Sequence, residues 1–217
     1  MYSRQHFDEA LRELNQEVLR MGTLVEEALR KSVKALVDKN PALADEVIAG
    51  DGDIDNFQLE IEDTCTVLIA TEQPVAADLR QIVATLNVLN DLERIGDQAV
   101  HIAEVMKRLY DEPYMKPLID IPRMAEIAEG MIHDGLTAFV NNDPRAAERV
   151  AARDDELDEL HAQILRELLT YMMEDPGKIG QGINLLFLAR WLERTGDHVT
   201  NICERIVFLA TGKHVTL

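Results

Sequence analysis

Apolar residues recur along most of the chain at alternating intervals of three and four positions, which is the spacing of one face of an α-helix. The first such stripe runs through Phe7, Leu11, Leu14, Val18, Met21 and Val25. It predicts a helix over residues 5–38, which ends at Asn40 and Pro41 because proline disfavours helical backbone in the residue before it. This helix is expected to present one long apolar face to a helical bundle.

The same reasoning predicts five more helices. They cover residues 42–71, 75–110, 123–140, 144–174 and 178–211. The GDGD stretch at 50–53 could interrupt the second of them, and the proline-containing segment 111–122 is expected to be a linker. The predicted fold is therefore all-α, with six long helices in two tandem three-helix bundles. The first bundle is assigned to residues 1–112 and the second, which includes the linker, to residues 113–217.

The second half of the chain repeats the first. LERIGD at 92–97 recurs as LERTGD at 192–197, which is 100 positions later, and the helix-breaking Pro74 recurs as Pro176. A period near 100 residues is too long for a solenoid unit. It indicates a duplicated three-helix bundle instead.

Composition narrows the function classes. Aromatic residues make up only 5% of the 217 residues, which favours long helices over sheets. The 40 acidic and 22 basic residues give a net charge of −18, and such a surface repels nucleic-acid backbones and anionic lipid. We therefore expect no nucleic-acid binding, and we expect attraction to cations or to basic protein surfaces.

Several other features of the chain argue for a soluble, cytoplasmic protein that is not an enzyme. The sequence has no apolar run long enough for a signal peptide or a membrane span. Cys65 and Cys203 stand alone in apolar helical surroundings, which indicates core packing and not a disulfide or a thiolate metal site. Neither a nucleophile paired with a base nor a phosphate-binding glycine loop is found.

Two glutamates occupy positions of the apolar stripe where a core residue is expected. Glu93 stands in the stripe of the third helix, and Glu193 has the same place in the sixth. Each is followed by a glycine three positions later, which suggests that something bulky or charged approaches the helix closely. Asp97 and Asp197 lie one helical turn beyond these glutamates, on the same face.

Aspartates on the preceding helices complete two sets of four carboxylates. Asp55 and Glu93 lie 19 positions on either side of Pro74, and Asp51 and Asp97 lie 23 positions away. Because the two arms of a straight helical hairpin rise equally from its turn, these four side chains should meet at one level. The matching set around Pro176 is Asp154, Asp158, Glu193 and Asp197, whose distances from the turn agree within the turn's uncertainty.

Four carboxylates at one level repel one another, so they must take up protons, pair with bases or hold cations. Oxygen ligands suit Mg, Mn, Ca or iron better than zinc. The alternative is ordinary ion pairing, for which Arg80, Arg94, Arg190 and Arg194 are available. His101 and His161 could each add one nitrogen ligand, although a single helical histidine is more often solvated or packed.

Three segments resemble the PhoU family of phosphate transport system accessory proteins. They are EQPVAADLR at 72–80, LERIGDQAVHIAE at 92–104 and NLLFLARWLERTGDHVTNICE at 184–204. The resemblance implies multinuclear metal clusters on paired acidic motifs, with iron as the first expectation and Mn, Mg or Zn as alternatives. It implies that the ligands are Asp51, Asp55, Glu93 and Asp97 in one half, and Asp154, Asp158, Glu193 and Asp197 in the other.

The resemblance also implies a negative regulator of phosphate uptake and phosphate-regulon signalling. Its expected partners are the ATP-binding subunit of a phosphate ABC transporter and a phosphate-sensing histidine kinase, met at the inner membrane face, and a homodimer is expected. A carboxylate-bridged di-iron enzyme or iron store is the alternative. Such a site needs two Glu-x-x-His motifs, and none of the six histidines has a glutamate three residues before it. The regulator is therefore preferred.

Overall fold

The structure is a computed structural model that describes the backbone of residues 2–217 and the side chains from residue 5 onward. Its helices are α1 (Tyr2–Asp38), α2 (Pro41–Glu72), α3 (Ala77–Leu109), α4 (Asp120–Asn141), α5 (Pro144–Ala151), α6 (Asp154–Glu174) and α7 (Ile179–Thr211). A 3-10 turn, Pro176–Lys178, joins α6 to α7, and no strand occurs in the described part of the chain. The all-α prediction is confirmed.

Side-chain caps explain where two of the helices begin. The Asn40 side chain accepts a hydrogen bond from the backbone N–H of Leu43, and Pro41 opens α2. Asp143 caps α5 in the same way by accepting from the N–H groups of Arg145 and Ala146. These contacts satisfy backbone donors that have no partner inside the helix. The breaks predicted from the asparagine-proline and aspartate-proline pairs therefore lie where expected.

The structure differs from the sequence prediction in the segment 144–174, and α4 begins at Asp120, inside the predicted linker 111–122. The segment predicted as one helix over 144–174 is divided at Ala152 and Arg153 into α5 and α6. At this break Arg153 turns back onto α4, where its guanidinium donates to Asp134 at 2.9 Å and to the carbonyl of Ile127 at 3.3 Å. By contrast, α2 runs without interruption through the GDGD stretch at 50–53.

The two three-helix halves share one core. Helix α1 packs against α2 and α3, α4 packs against α5 and α7, and the pairs α1–α4 and α3–α7 join the halves. Buried apolar residues of all seven helices form a single cluster. The domain boundary at 112/113 stays a prediction, because this core continues across it.

Helices α3 and α7 run antiparallel where the halves meet. Asp91 lies 3.0 Å from Nδ1 of His198 and accepts a hydrogen bond from Asn201 at 3.2 Å. Ten residues further along α3, the His101 ring stacks on Trp191 with 5.1 Å between centroids. The two hairpins α2–α3 and α6–α7 are thus held side by side. No helix among residues 2–217 is both long enough and apolar enough to cross a membrane.

Candidate metal centres

The first cluster consists of Asp51 and Asp55 on α2 with Glu93 and Asp97 on α3. Burial raises the pKa of Asp51, and the charges of Asp55 and Asp97 raise it further. The pKa of Glu93 is also raised by burial, then by Asp97, while Arg94 acts against this rise. These mutual influences show that the α2–α3 hairpin brings together the four acids predicted for this half.

The second cluster consists of Asp154 and Asp158 on α6 with Glu193 and Asp197 on α7. Burial, followed by the charges of Asp197 and Asp158, raises the pKa of Asp154 to about 6. Burial and Asp197 raise the pKa of Glu193 to about 7, against the opposing charge of Arg190. The acids predicted for the second half therefore also lie near one another, and Glu193 is poised to hold a proton near neutral pH when no cation is present.

Two oxygen atoms of the second cluster are buried without a hydrogen-bond partner. They are Oδ1 of Asp154 and Oε2 of Glu193, and Glu193 as a whole is only 7% exposed. The Thr200 hydroxyl lowers the pKa of Asp154 slightly, but its geometry falls short of a hydrogen bond. Because an unpartnered buried carboxylate oxygen is costly, this arrangement suits a cation with oxygen ligands.

Arginines partly neutralise both clusters. Arg94 lies 3.0 Å from Asp97 and 3.4 Å from Glu93, and Arg190 forms an ion pair with Glu193. The ion-pairing alternative is thus realised for two of the four candidate arginines. Among the residues whose side chains are described, no three histidine, cysteine, aspartate or glutamate side chains already stand in position to hold an ion. Metal binding by the eight acids stays a prediction and would require side chains to turn.

Each candidate histidine lies near one cluster. His101 acts on the pKa of Asp51 and lowers it, although its ring is stacked on Trp191. The pKa of His161 is lowered by burial and by Arg190, while Asp158 acts to raise it. Both remain candidates for one additional nitrogen ligand at the nearby cluster. Sequence reasoning missed Thr200, for which the available signal was a departure from the repeat, since Val100 holds the equivalent position.

The paired glycines have different surroundings. A Cβ atom at Gly196 would lie 2.1 Å from Oδ1 of Asp154 and 2.6 Å from the Leu157 side chain. A Cβ atom at Gly96 would lie 3.5 Å from Ile54, which is ordinary contact. The structure thus confirms close approach of a charged group at Gly196. At Gly96 the neighbour is the bulky Ile54 side chain, but at ordinary contact distance, so the expected close approach is not found there.

A duplicated all-helical bundle with one carboxylate cluster on each of the hairpins α2–α3 and α6–α7 defines the class of protein. The PhoU domain family model matches residues 18–106 and 121–206, which are most of the two halves. The chain therefore belongs to the PhoU family. The resemblance drawn from the three sequence segments is confirmed.

Individual relatives agree with this assignment. Two proteins named phosphate-specific transport system accessory protein PhoU homolog are similar to this chain. The one from Clostridium acetobutylicum is 41% identical to it over 99% of both chains. The one from Aquifex aeolicus is 42% identical to it over 94% of this chain and 93% of that one. The crystal structure of PhoU from Pseudomonas aeruginosa matches with a TM-score of 0.90 at 35% identity, covering 95% of this chain and all of that one. The crystal structure of the phosphate transport system regulatory protein PhoU from Streptococcus pneumoniae matches with a TM-score of 0.91 at 33% identity. This match covers 97% of this chain and all of that one.

Proposed function

We propose that this protein is a metal-binding, non-enzymatic regulator of phosphate uptake. It restrains phosphate-starvation genes by linking the ATP-binding subunit of a phosphate ABC transporter to a phosphate-sensing histidine kinase. The names of its relatives, accessory protein and regulatory protein of phosphate transport, support the phosphate system as its setting. The observation that carries the metal-binding part is the convergence of four carboxylates on each hairpin, with two buried oxygens left unpartnered in the second.

The proposed ligands are the eight acids of the two clusters. Asp51, Asp55, Glu93 and Asp97 serve the first half, and Asp154, Asp158, Glu193 and Asp197 serve the second. Iron is the first expectation, with Mn, Mg or Zn as alternatives. A bound cation would neutralise the mutual repulsion within each cluster, and the carboxylates would join the two helices of each hairpin through it.

The proposed place of action is the cytoplasmic face of the inner membrane. The protein is held there by protein partners, as a homodimer. Its formal charge of −18 supports attachment through protein contacts, because an acidic protein is repelled by anionic lipid.

Elemental analysis of protein purified without chelators tests the metal assignment. The native protein should contain metal, and the double variant Glu93→Ala plus Glu193→Ala should lose most of it. The matched control is Asp53→Ala plus Glu159→Ala, which removes two exposed acids outside the clusters and should retain the metal. Equal metal content in all three proteins would reject these ligands.

A deletion strain carrying a phosphatase reporter tests the regulatory part. With phosphate plentiful, deletion should derepress the reporter, and the intact gene should restore repression. The purified protein should also bind the transporter's ATP-binding subunit or the cytoplasmic region of the kinase. A reporter that stays repressed, together with no binding to either protein, would reject the regulator and favour the di-iron or iron-storage alternative.

A further inference from the structure

A groove between α1 and α2 lies open in the first half of the molecule. Its volume is about 390 Å³, which is within the range of protein sites that hold small ligands. Gly50 forms part of its wall, and a Cβ atom added there would meet no described atom within 4 Å beyond its own stretch of helix. Because glycine inside a helix is destabilising relative to alanine, nothing in the packing of the described chain favours this glycine.

The second half has an arginine at the position that corresponds to Gly50. The two halves align at an offset of 103 positions, which relates Asp51 to Asp154. The matches of the family model have the same offset, since they begin at residues 18 and 121. At this offset Gly50 corresponds to Arg153. The side chain that is missing from the groove of the first half is therefore present in the second.

The Arg153 side chain occupies the crevice between α4 and the break that separates α5 from α6. Its Nη1 atom donates to Asp134 at 2.9 Å, and its Nη2 atom donates to the carbonyl of Ile127 at 3.3 Å. A Cβ atom added at Gly130 would lie 2.6 Å from Nη2, so a glycine of α4 leaves the space that the guanidinium fills. The second half thus holds a guanidinium against α4 with a carboxylate, a carbonyl and an absent side chain.

The corresponding positions of α1 line the open groove. At the offset of 103, the counterparts of the three α4 residues that contact Arg153 are Leu24, Glu27 and Lys31. In the second half the open groove begins at Arg153 and runs towards Asn141 and Asp143. The groove of the first half is therefore the place that a guanidinium fills in the second half.

The charges of the two places differ in the same sense. Among the described side chains that line the groove of the first half, three acids and one base give a net charge of −2, namely Glu27, Glu46, Asp53 and Lys31. The corresponding positions of the second half carry two acids and two bases, namely Asp134, Glu156, Arg149 and Arg153. The second half is thus balanced by its own arginines, whereas the first half has an excess of acids that favours a cationic occupant.

Lys31 leaves acceptors available in the groove. Its Nζ atom lies 2.9 Å from Oε1 of Glu27 and also pairs with Oε1 of Glu46. Each carboxylate has a second oxygen that can accept further hydrogen bonds, and Asp53 is an exposed acid outside this bridge. A guanidinium can donate to two such acceptors at once because its donors are fixed in one plane.

We propose that the groove between α1 and α2 binds the guanidinium group of an arginine side chain that a protein partner supplies. The guanidinium donates to the carboxylates of Glu27 and Asp53 and fills the space beside Gly50. Supply by another protein rests on the regulatory function proposed above, since a relay between proteins needs such contacts. A second copy of this chain would bring another charge of −18 to the contact. The proposal adds which half makes one contact and which side chain of the partner it takes.

Titration with N-acetylarginine amide tests the groove without a partner. The backbone NMR signals of Val47 and Gly50 in the full-length native protein should shift and saturate. N-acetylcitrulline amide has nearly the same shape without the charge, and N-acetyllysine amide lacks the planar group, so each should bind about fivefold more weakly or less. Gly50→Arg should abolish the shift at Val47. Equal binding of the citrulline compound, or an unchanged shift in Gly50→Arg, would overturn the proposal.

Arginine at two nearby glycines gives a matched test with protein partners. Gly50→Arg supplies the guanidinium from within the chain, whereas Gly52→Arg adds the same charge at an exposed position outside the groove. An added Cβ has open space at both positions in the described part of the chain, and circular dichroism checks that both variants fold. The binding partner is the transporter's ATP-binding subunit or the cytoplasmic region of the kinase, whichever binds the native protein. Gly50→Arg should weaken this binding about tenfold or more, and Gly52→Arg should leave it within about twofold.

Removal of the acids provides a second, independent variant. Glu27→Gln plus Asp53→Asn should weaken the same binding, since two acceptors for the guanidinium are lost. The matched control is Glu148→Gln plus Glu159→Gln, which removes two exposed acids of the second half and should leave binding unchanged. None of the four is a proposed metal ligand, so metal content should stay the same. Equal loss in both acid pairs, or in both glycine variants, would indicate general attraction between charges and overturn the proposal.

Two further results would assign the groove to another occupant and overturn the proposal. If N-acetylarginine amide binds but Gly50→Arg leaves the binding of both proteins intact, the groove takes a small guanidinium compound. If Gly50→Arg alters self-association in sedimentation, the occupant is a second copy of the chain.

The deletion-strain reporter is independent of these readings. The regulatory function can therefore stand while this contact fails. If neither protein binds the native chain, the partner contact is rejected, and the titration with N-acetylarginine amide still shows whether the groove takes a guanidinium.

Discussion

The two carboxylate clusters come from one repeated motif but have different environments. Glu193 is buried, whereas Glu93 is half-buried. Both unpartnered cluster oxygens found among the described side chains belong to the second cluster. As a result, the pKa of Asp154 reaches about 6 and that of Glu193 about 7, while the pKa values of Asp51 and Glu93 rise less. A shared motif thus fixes which residues meet, but burial fixes how far their pKa values rise.

The difference between the clusters begins in the backbone before the second one. Asp51 lies within the uninterrupted α2, whereas Asp154 is the first residue of α6, just after the break at Arg153. The break lets Asp154 approach α7, and Gly196 leaves room for its carboxylate there. The glutamate of the second cluster is more buried than that of the first, and the second cluster lies where one helix ends and the next begins.

Alanine at the two glycines should give the largest difference between the halves. Gly196→Ala places a Cβ against Asp154 and Leu157, so it should lower the free energy of unfolding by about 1–3 kcal/mol through overpacking. Gly96→Ala meets only Ile54 at normal distance and should be neutral or stabilising by up to about 1 kcal/mol, because alanine is the better helix former. Urea unfolding of both variants measures this.

The glycine comparison also has a clear contrary outcome. If both variants lose the same free energy of unfolding, the closeness of Asp154 to α7 is not what distinguishes the second cluster. Metal content should also differ between the two variants. Gly196→Ala should bind less metal than Gly96→Ala, since it displaces one proposed ligand.

The pH dependence of stability should also differ between the two clusters, by less than the glycine substitutions do. In chelated protein, a carboxyl group whose pKa is raised by folding holds a proton that the unfolded chain has already lost. Stability should therefore fall as pH rises from about 4.5, the ordinary value for Glu193, through its folded value of about 7. Glu193→Gln should flatten this fall in melting temperature more than Glu93→Gln does, because Glu93 is more exposed.

The pH window of this effect separates burial from ion pairing. If Arg190 controlled Glu193, the pKa of Glu193 would be lowered below its ordinary value of about 4.5, so stability would rise with pH only below about 4.5 and Glu193 would contribute no change from pH 4.5 to pH 7. A melting temperature of chelated native protein that follows the same course as that of Glu193→Gln from pH 4.5 to pH 7 would show that ion pairing prevails over burial in the second cluster.

Much of this arrangement could be predicted from the sequence because it depends on periodicity. Equal counts from Pro74 place Asp55 opposite Glu93, and helix geometry makes such counts reliable over straight hairpins. Proline and asparagine at the breaks set the ends of the helices through local chemistry.

The features that were missed depend on tertiary contacts. The break at Arg153 has no proline or glycine beside it, and it coincides with hydrogen bonds from this side chain to α4, a helix outside its own segment. The different roles of Gly96 and Gly196 depend on whether Ile54 or Asp154 lies opposite. Neither neighbour is visible in the local pattern, since both come from a different helix.

Arginine replacement should give the smallest difference between the clusters. Arg94 is largely exposed, and its partners Asp97 and Glu93 are both partly solvated. Arg94→Ala should therefore change the free energy of unfolding by only about 0–1 kcal/mol, as is usual for exposed ion pairs. Arg190→Ala removes the charge that opposes the rise in the pKa of the buried Glu193, so this pKa should rise further. In chelated protein at neutral pH, Arg190→Ala should then be the less stable of the two, and urea unfolding at pH 7 and pH 5 would measure the gap. The gap should narrow at pH 5, where Glu193 is protonated in both variants, and a gap independent of pH would mean that Arg190 acts through packing and not through its charge.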